Sequence, residues 1–493
     1  MHQRWNDTAA AACTTELGLR VYSSRLIGSD PVMVLYGGGN TSVKLKEGDT
    51  DVLYVKGSGA DLGAVSETDF TPLSLPPLLG LLEHEGLPVD SLVAALRPYV
   101  LRSDAPRPSI ETLMHAVLPW KFVEHTHAAP VLAICNTAHS IENLRAAFGD
   151  TLVIVPYHHS GFDLARACAA AYAEQYRPGM TGMVLLHHGV CAWGKDARSS
   201  YKAMLGLAQR AEDFLRARDA WELDQAPDAP RQIAPAQALA IARLRREASR
   251  AAGRPLTVTL RDDPASLAFA RRGDLERITS HGPATPGHAI FTKRFPQLGR
   301  DVAAFVARYQ AHLARLDGAR GIDCAPRVVL DAELGLLGLG INKFYADAAA
   351  EVYRSDAAVI ARAEKLDAYA TIAPDLILKA ELEYAGFEAR VAGRDPRAGR
   401  VILVADALQH AAAIQAELAA GGAVIALDTD PAVSTLAQAP GYLGLCAQPD
   451  SPADRARVLD LAIRAFGGID RILHPSAWDA LFQPLLEFAI HES

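Results

Sequence analysis

Two histidines, His125 and His127, are separated by one residue in the segment Phe-Val-Glu-His-Thr-His-Ala at 122–128. Its apolar and β-branched residues predict a strand, and residues two apart on a strand point to the same face. Two neutral imidazoles on one face suit a divalent metal such as Zn²⁺. Alone, such a pair more often belongs to an ordinary half-buried strand, so a metal site requires further ligands.

A third ligand is predicted where the apolar run Met-Val-Leu-Leu at 183–186 meets two histidines and Gly189. Adjacent residues point in opposite directions, so only one of His187 and His188 can reach the metal. His188, directly before the glycine, is the predicted ligand, and His187 is the alternative. Three protein ligands leave a fourth position open, as in catalytic zinc sites.

A carboxylate lies upstream, at Glu111. Residues 110–118 predict a short helix with Ser109 at its N-cap, closed by Pro119. Glu111 then falls in the first helical turn, where the helix dipole favours its charged form. A carboxylate in that position can act as a base towards a reacting carbon.

Two glycine-rich loops precede this helix. The first, Gly-Gly-Gly-Asn-Thr-Ser at 37–42, follows an apolar run at 32–36, and the second, Gly-Ser-Gly at 57–59, follows the predicted strand at 52–56. Glycines after a strand let backbone N–H groups turn inward around an anion, with Asn40 and Ser42 adding donors. A plain hairpin turn has the same pattern, so both interpretations stay open at this point.

The 493 residues are 50% hydrophobic, with a formal charge of −8. That length predicts two or three domains, and the charge argues against nucleic acid or an anionic membrane as the main partner. Six cysteines without a C-x-x-C motif predict reduced thiols and a cytoplasmic location. No apolar run reaches membrane-spanning length, and no signal-peptide core follows Met1.

Five motifs occur in the order and approximate spacing of the class II aldolase/adducin family, which residues 10–225 resemble. They are Gly39-Asn-Thr-Ser42, Gly57-Ser-Gly59, Ser109-x-Glu-x-x-x-His115, His125-x-His127 and His188-Gly189. The resemblance implies an α/β fold, an α/β/α sandwich around a mostly antiparallel sheet, for a catalytic domain at 1–225. It also implies a zinc enzyme, an aldolase or epimerase of short sugar phosphates, and a homotetramer by analogy.

Carried over by position, the resemblance implies that His125, His127 and His188 hold the metal and that Glu111 is the acid/base carboxylate. Zn²⁺ is the expected ion, although Mn²⁺, Co²⁺ or Fe²⁺ also suits three histidines. Tyr157 matches a tyrosine that donates a proton across the subunit boundary in some members. A hydrogen-bonded structural tyrosine is the alternative.

The resemblance places the substrate phosphate at Asn40, Ser58, Gly59 and Ser109. Many sugar-phosphate members have Ser-Ser-Glu where this chain has Ser-Ile-Glu at 109–111. The change removes one phosphate donor, so a free sugar is also a candidate substrate.

Residues 226–395 predict a mixed α/β connecting region, with a helix at 235–252 and a buried strand at 326–331. The glycines at 335–340 predict a strand-to-helix turn that binds nothing, because no acidic residue ends a strand about 20 residues later. His288, Lys293 and Arg294 predict a solvated basic loop, with anion binding as the alternative.

Residues 396–493 alternate strands and helices, which predicts a Rossmann-like parallel sheet. They resemble a short-chain dehydrogenase domain, in the arrangement of bifunctional rhamnulose-phosphate aldolase/alcohol dehydrogenase-like proteins. After the first strand, residues 405–411 lack the glycines that let a helix approach a pyrophosphate, and Asp406 adds a negative charge. The sequence also reaches Ser493 without a Tyr-x-x-x-Lys triad. We therefore expect a degenerate, truncated domain with a structural role and no NAD(P).

The leading functional prediction is a zinc-dependent aldolase that cleaves or forms a C–C bond of a short ketose or ketose phosphate through an enediolate. Three alternatives stay open: a sugar-phosphate epimerase using the same site, a non-catalytic adducin-like scaffold, and an NAD(P)-dependent sugar dehydrogenase.

Overall fold

A computed structural model describes residues 3–83, 86, 89–229, 232–315, 322–384, 395, 397–474 and 476–490. The chain divides into two compact units, 1–222 with 358–372 and 223–357 with 373–493. The three predicted domains, 1–225, 226–395 and 396–493, stay a prediction. Of the segment 385–396 around the second boundary, only Asp395 is among the described residues.

The first unit contains a seven-stranded sheet of order β3-β2-β1-β4-β7-β6-β5. Its strands are β1 Asn40–Glu47, β2 Thr50–Lys56, β3 Phe70–Ser74, β4 Phe122–Thr126, β5 Val153–Val155, β6 Gly182–Leu185 and β7 Gly189–Gly194. All neighbouring strands run antiparallel except β5 and β6. The predicted mostly antiparallel sheet is confirmed.

Helices cover both faces of this sheet. Side chains alternate along β4, so the strand contacts helices on both faces. Val123 joins an apolar cluster with the helices at 112–117 and 162–175, whereas Glu124 and Thr126 contact Ser200 and Met204 of the long helix on the other face. The helices are Asp7–Ala11, Glu16–Gly28, Leu75–Gly80, Val89–Leu96, Thr112–Val117, Ala129–Cys135, Ser140–Phe148, Phe162–Gln175 and Ala197–Arg216.

Two local predictions for this unit are wrong. The apolar run at 32–36 forms turns, and the strand begins only at Asn40, because Tyr36, Gly37 and Gly39 all have positive φ angles. The helix after Ser109 begins at Thr112, with Glu111 at its N-cap. The Ser109 hydroxyl accepts the Glu111 N–H at 3.2 Å, which makes a turn ahead of the helix.

The second unit contains two four-stranded sheets, of order β8-β11-β10-β9 and β14-β13-β12-β15. The strands are β8 Thr257–Arg261, β9 Gln297–Leu298, β10 Val328–Asp331, β11 Gly335–Gly340, β12 Val401–Ala405, β13 Ala423–Asp428, β14 Tyr442–Cys446 and β15 Arg471–Ile472. The second sheet is entirely parallel, which confirms the Rossmann-like prediction.

Helices lie between these strands, and after residue 396 strands and helices alternate as predicted. They are Pro235–Ala252, Pro264–Ala270, Leu275–Ser280, Ala289–Thr292, Val302–Leu313, Lys343–Leu366, Pro374–Tyr384, Ala411–Ala419, Pro452–Phe466 and Asp479–Leu486. Within the described residues, none of the helices has both the length and the apolar character needed to cross a bilayer.

The glycines at 335–340 form the buried strand β11, so the predicted strand-to-helix turn is wrong. A Cβ atom at Gly338 would lie 2.4 Å from the carbonyl oxygen of Ala346, and one at Gly340 would lie 2.3 Å from the amide nitrogen of Ala346. The glycines therefore let the helix at 343–366 pack directly on the strand.

The predicted solvated basic loop is also wrong, because His288 and Lys293 are buried. His288 Nδ1 lies 2.7 Å from Asp356 Oδ1, and Lys293 Nζ lies 3.2 Å from Asp323 Oδ1. Each of these basic side chains is buried beside a carboxylate, as buried ionisable groups generally are.

In the parallel sheet, Asp428 ends β13 and its Oδ2 accepts the backbone N–H of Leu408 at 3.1 Å. Asp406, at the end of β12, has a φ of 48°. A carboxylate therefore contacts a backbone donor that follows the first strand, the region in which a dinucleotide fold holds its pyrophosphate.

Candidate metal centre and active site

The predicted site residues come together beyond one end of the central strands of the seven-stranded sheet. Asn40 begins β1 and pairs directly with His125 near the end of β4. Thr126 pairs with Val190 of β7, so the turn before β7, which carries His188, lies at the same end of the strands. Strands that alternate in direction thus bring residues from distant parts of the sequence together.

His125, His127 and His188 form a compact triad, and one nitrogen from each lies within 4.8 Å of the other two. Their ring centroids are 5.2, 5.0 and 5.5 Å apart. His125 and His188 are buried, and His127 is half-buried. One ion can therefore contact all three rings.

The turn between β6 and β7 places the two adjacent histidines in different surroundings. His187 has a φ of 58°, and its Nδ1 lies 2.9 Å from Asn136 Oδ1, away from the triad. His188 lies at the triad instead. The structure thus brings together the three histidines that the sequence favoured.

The triad is suited to a metal by its electrostatics. Burial lowers the pKa of His125 to about 4, against the opposing effect of Glu111, so the ring is neutral near pH 7. Its Nε2 is buried and makes no hydrogen bond among the described residues. An unpartnered buried nitrogen beside two more imidazoles fits a divalent cation that needs neutral nitrogen ligands.

Glu111 lies against the same histidines. Its Oε1 is 2.9 Å from His188 Nε2, and its Oε2 is 3.6 Å from His125 Nε2. Burial opposes the charged form of Glu111, but His125, His188 and His127 outweigh it and hold the pKa of Glu111 well below its usual range. The side chain is therefore a carboxylate.

A buried relay behind Glu111 fixes its position. Asn40 Nδ2 donates to Glu111 Oε2 at 2.5 Å, and Asn40 Oδ1 accepts from His115 Nε2. The hydroxyl of Ser42 then donates to His115 Nδ1 at 2.8 Å. Ser42 was predicted to contact an anion, but in the structure it orients His115. The sequence analysis assigned no role to His115, although this residue is part of the Ser109-x-Glu-x-x-x-His115 motif.

Lys44 anchors this relay to the helix at 112–117. Its Nζ donates to the carbonyl oxygens of His115, Leu118 and Trp120 at 2.7, 2.5 and 3.1 Å. Carbonyls at the end of a helix have no partner within the helix, and a lysine there satisfies them. The contacts hold the end of the helix against β1.

The residues predicted to bind phosphate lie in neighbouring loops. Ser109 is buried, and Asn40 Nδ2 lies 3.3 Å from its hydroxyl. Ser58 and Gly59 are exposed in the loop after β2. The carbonyl oxygen of Gly59 lies 3.7 Å from the position of a Cβ atom on Gly37, so the two glycine loops adjoin.

Lys56 ties these loops together and was missed by the sequence analysis. It is 2% exposed, and its Nζ donates to the carbonyl oxygen of Gly37 at 3.2 Å. Burial lowers the pKa of Lys56 to about 8, against the effects of Glu111, Asp61 and Asp69. In the sequence it closes an apolar strand, and only the strand register brings it to the site.

Tyr157 is half-buried in the loop between β5 and the helix at 162–175. Because β5 runs parallel to β6, the loops that follow the two strands, which carry Tyr157 and His188, leave the sheet at the same end. Its predicted part in proton transfer stays a prediction.

Two family models match the chain. The class II aldolase and adducin N-terminal domain matches residues 21–215, and the second domain of class II aldolase matches residues 235–390.

Relatives with known names match over different spans. The uncharacterized oxidoreductase YuxG of Bacillus subtilis is 28% identical over 399 residues, which are 75% of this chain and 57% of that protein. The chain therefore spans little more than half the length of this relative. A methylthioribulose-1-phosphate dehydratase of Leptospira interrogans is 26% identical over 40% of this chain and 79% of its own length.

Among solved structures, the N-terminal class II aldolase domain of a conserved protein from Thermoplasma acidophilum is 36% identical. The match covers 44% of this chain and 100% of that chain, with a TM-score of 0.41. Together the two family models cover most of the chain and confirm the predicted family: the chain belongs to the class II aldolase and adducin family.

Proposed function

We propose that this protein is a zinc-dependent aldolase of a short ketose or ketose phosphate, and that His125, His127 and His188 hold the ion. The carrying observation is the triad, in which His125 Nε2 is buried without a hydrogen-bond partner among the described residues and His188 Nε2 lies 2.9 Å from the Glu111 carboxylate. A divalent cation there supplies Lewis-acid stabilisation of negative charge on substrate oxygens, worth several kcal/mol.

Glu111 is the proposed acid/base group. A carboxylate ionised at neutral pH can take a proton from the carbon beside a carbonyl group and return it in the reverse direction. Asn40 donates to one carboxylate oxygen and, through His115, prevents the side chain from turning away. Tyr157 is the proposed proton donor to the aldehyde oxygen when the C–C bond forms, and it takes that proton back from the hydroxyl when the bond breaks.

The substrate phosphate, where there is one, is assigned to Ser109, Ser58, Gly59 and Asn40. The backbone of the glycine loop can approach an anion closely, because the space beside Gly59 is open: a Cβ atom placed there would meet no atom within 4 Å. The free thiols of all six cysteines favour a reducing compartment, and we infer the cytoplasm. Assembly into a homotetramer is part of the proposal.

The test is retro-aldol cleavage of ketose phosphates and free ketoses, with and without a chelator, together with metal analysis of the purified protein. We expect bound zinc and chelator-sensitive release of an aldehyde. Product analysis separates cleavage from epimerisation and from the loss of water that the dehydratase relative's name describes. A metal-free protein without any of these activities would favour the scaffold alternative.

Two substitutions separate metal binding from proton transfer. His125→Ala removes a ligand, so we expect loss of both metal and turnover. Glu111→Gln keeps the triad, so the protein should retain metal and lose about 100-fold or more in kcat, the usual contribution of an acid/base group. His187→Asn is the matched control, because His187 is outside the triad, and it should retain both. Full activity of Glu111→Gln would contradict the assignment.

A second candidate function, nicotinamide-dependent oxidation, is favoured by the name of the Bacillus subtilis relative. The contact between Asp428 and the Leu408 N–H argues against it, because it occupies a backbone donor near the expected phosphate position. Titration of the protein with NADH and NADPH, followed by fluorescence, decides the matter. Saturable binding at micromolar concentration would support the dehydrogenase alternative.

A further inference from the structure

A cavity of about 290 Å³ lies in the second unit, far along the sequence from the histidine triad. It is lined by Ser280, Arg294, Phe295, Arg308, Ala311, His312 and Arg315. Among the described residues, three guanidinium groups and an imidazole thus line it, and no carboxylate does.

The lining comes from one face of the helix Val302–Leu313, from Arg315 in the turn just after it, and from the segment that precedes β9. Arg308, Ala311, His312 and Arg315 are spaced at three, four and seven residues, the spacing of a single helical face. Phe295 is the opposite wall: the Arg308 guanidinium lies 4.4 Å from its ring centroid, and the His312 ring packs edge-on at 5.6 Å.

Acidic residues act electrostatically on one of the three arginines: Asp375 and Glu381 act on Arg294. Neither Arg308 nor Arg315 forms an ion pair with any carboxylate of the described residues, and both are exposed. Arg294 is half-buried and donates to the carbonyl oxygen of Ser280 at 2.9 Å. The cavity therefore carries excess positive charge.

His312 provides an independent indication of a missing partner. It is 4% exposed, and its Nδ1 lies 3.1 Å from Arg294 Nη1. Arginine can only donate, so Nδ1 accepts and the proton of the neutral ring is on Nε2. That Nε2, like Arg294 Nε, is buried without a hydrogen-bond partner among the described residues. Two buried donors that lack acceptors are costly unless a ligand supplies them.

The charges depress proton binding in the cavity. Burial, followed by Arg294 and Arg315, lowers the pKa of His312 to about 4, against the opposing effect of Asp375. Burial, Arg315 and Arg308 likewise lower the pKa of Arg294, against Asp375 and Glu381. An anion bound among these groups offsets the repulsion between their positive charges.

Basic side chains near the C-terminal end of a helix also interact favourably with its dipole, without any ligand. That explanation accounts for exposed arginines such as Arg315. It does not account for the buried, unpartnered nitrogens of His312 and Arg294, which a solvated cluster would leave in contact with water.

We propose that this cavity is a binding site for the phosphate group of a small phosphorylated metabolite, separate from the histidine triad. Arginine forks match phosphate oxygens in geometry and charge. The cavity volume is near the lower end of the range of about 300–1,000 Å³ for small-molecule sites, so it has room for a short carbon chain beside Phe295 and Ala311.

The test is calorimetric titration of the full chain with inorganic phosphate and with glycerol 3-phosphate. In the variant Arg308→Gln/Arg315→Gln, we expect binding at this site to weaken at least about tenfold for each probe. Both residues are exposed, so their loss leaves the fold intact. Arg250→Gln/Arg254→Gln is the matched control, because it removes the same charge from exposed positions of the same unit and should bind both probes as the unchanged protein does.

Asn40→Ala separates this site from the one proposed in the first unit, because it should leave binding at the arginine cavity unchanged. Equal affinity in the Arg308→Gln/Arg315→Gln variant, equal weakening in both double variants, or no saturable binding of either probe would overturn the proposal. Tighter binding of glycerol 3-phosphate than of inorganic phosphate supports an organic ligand, and the reverse order overturns that part.

Discussion

Gly189 controls how closely β7 approaches the histidine triad. A Cβ atom at this position would lie 2.5 Å from the carbonyl oxygen of Thr126 and 3.0 Å from ring carbons of both His125 and His127. Real Cβ atoms essentially never approach another atom to 2.5 Å, and that atom belongs to the backbone; the two 3.0 Å contacts are tighter than most Cβ contacts. The geometry of the triad therefore requires a glycine at position 189.

Gly189→Ala should accordingly displace the histidines and weaken metal binding by about tenfold or more, the size of effect that displaced metal-site residues produce. Competition with a chromogenic zinc chelator measures the affinity. Gly206→Ala is the control: it lies in a helix with open space around its Cβ position, so it should keep the metal affinity and raise stability by up to about 1 kcal/mol. Unchanged zinc affinity in Gly189→Ala would contradict the proposed contact.

Some of the site was predictable from residues and some was not. The His-x-His spacing identifies two ligands because strand geometry places them on one face. The choice between His187 and His188 depends on a positive φ at His187 and on its contact with Asn136, neither of which the sequence reveals. The roles of His115 and Lys56 likewise depend on strand register across the sheet.

At the scale of elements, β4 is fixed by contacts on the face opposite its histidines. Glu124 is fully buried and accepts from Arg20 Nη2 at 2.6 and 2.7 Å and from the Ser200 hydroxyl at 2.8 Å. Arg20 belongs to the helix Glu16–Gly28 and is also fully buried. The ion pair therefore ties two helices to the strand that carries His125.

Arg20→Leu leaves the Glu124 carboxylate buried without its cation, so we expect it to cost about 3–5 kcal/mol of unfolding free energy. Denaturant unfolding of the zinc-loaded protein measures the loss. The double variant Arg20→Leu/Glu124→Leu removes both charges and should recover much of that stability. A single variant within about 1 kcal/mol of the unchanged protein would show that the pair contributes little.

Element boundaries were predictable where local chemistry sets them. The helix at 235–252 has Pro235 in its first turn and the left-handed Gly253 after its end, and both bounds match the prediction. The segment 335–340 was mistaken for a turn because its glycines serve packing against a helix. Close packing between an element and its neighbour leaves no local signal in the sequence.

For the whole molecule, the alternation of strands and helices predicted the parallel sheet, and the family motifs predicted the antiparallel one. The assignment of residues 358–372 to the first unit was not predictable. It depends on long-range contacts, such as the hydrogen bond between Asp367 and the His139 N–H at 3.0 Å. Such contacts have no periodicity in the sequence.

The pH dependence of global stability follows from another buried group, Glu381, which accepts from the Tyr309 hydroxyl. Burial raises its pKa from 4.5 to about 7, against the effects of Lys293 and Arg294. Between these values the folded protein binds more protons than the unfolded chain. The stabilising contribution of this group is therefore complete below about pH 4.5 and is lost as the pH rises towards 7.

Comparison with Glu381→Gln isolates this contribution. The stability of the unchanged protein relative to the variant should fall by an amount on the order of 1–3 kcal/mol between pH 4.5 and 7. His125, His187 and His312, whose pKa values burial lowers to about 4, act in the opposite direction. They are common to both proteins and cancel in the difference. Calorimetric unfolding across this range measures it, with exposed Glu276→Gln as the control, and a difference that stays constant or rises with pH would contradict a protonated Glu381.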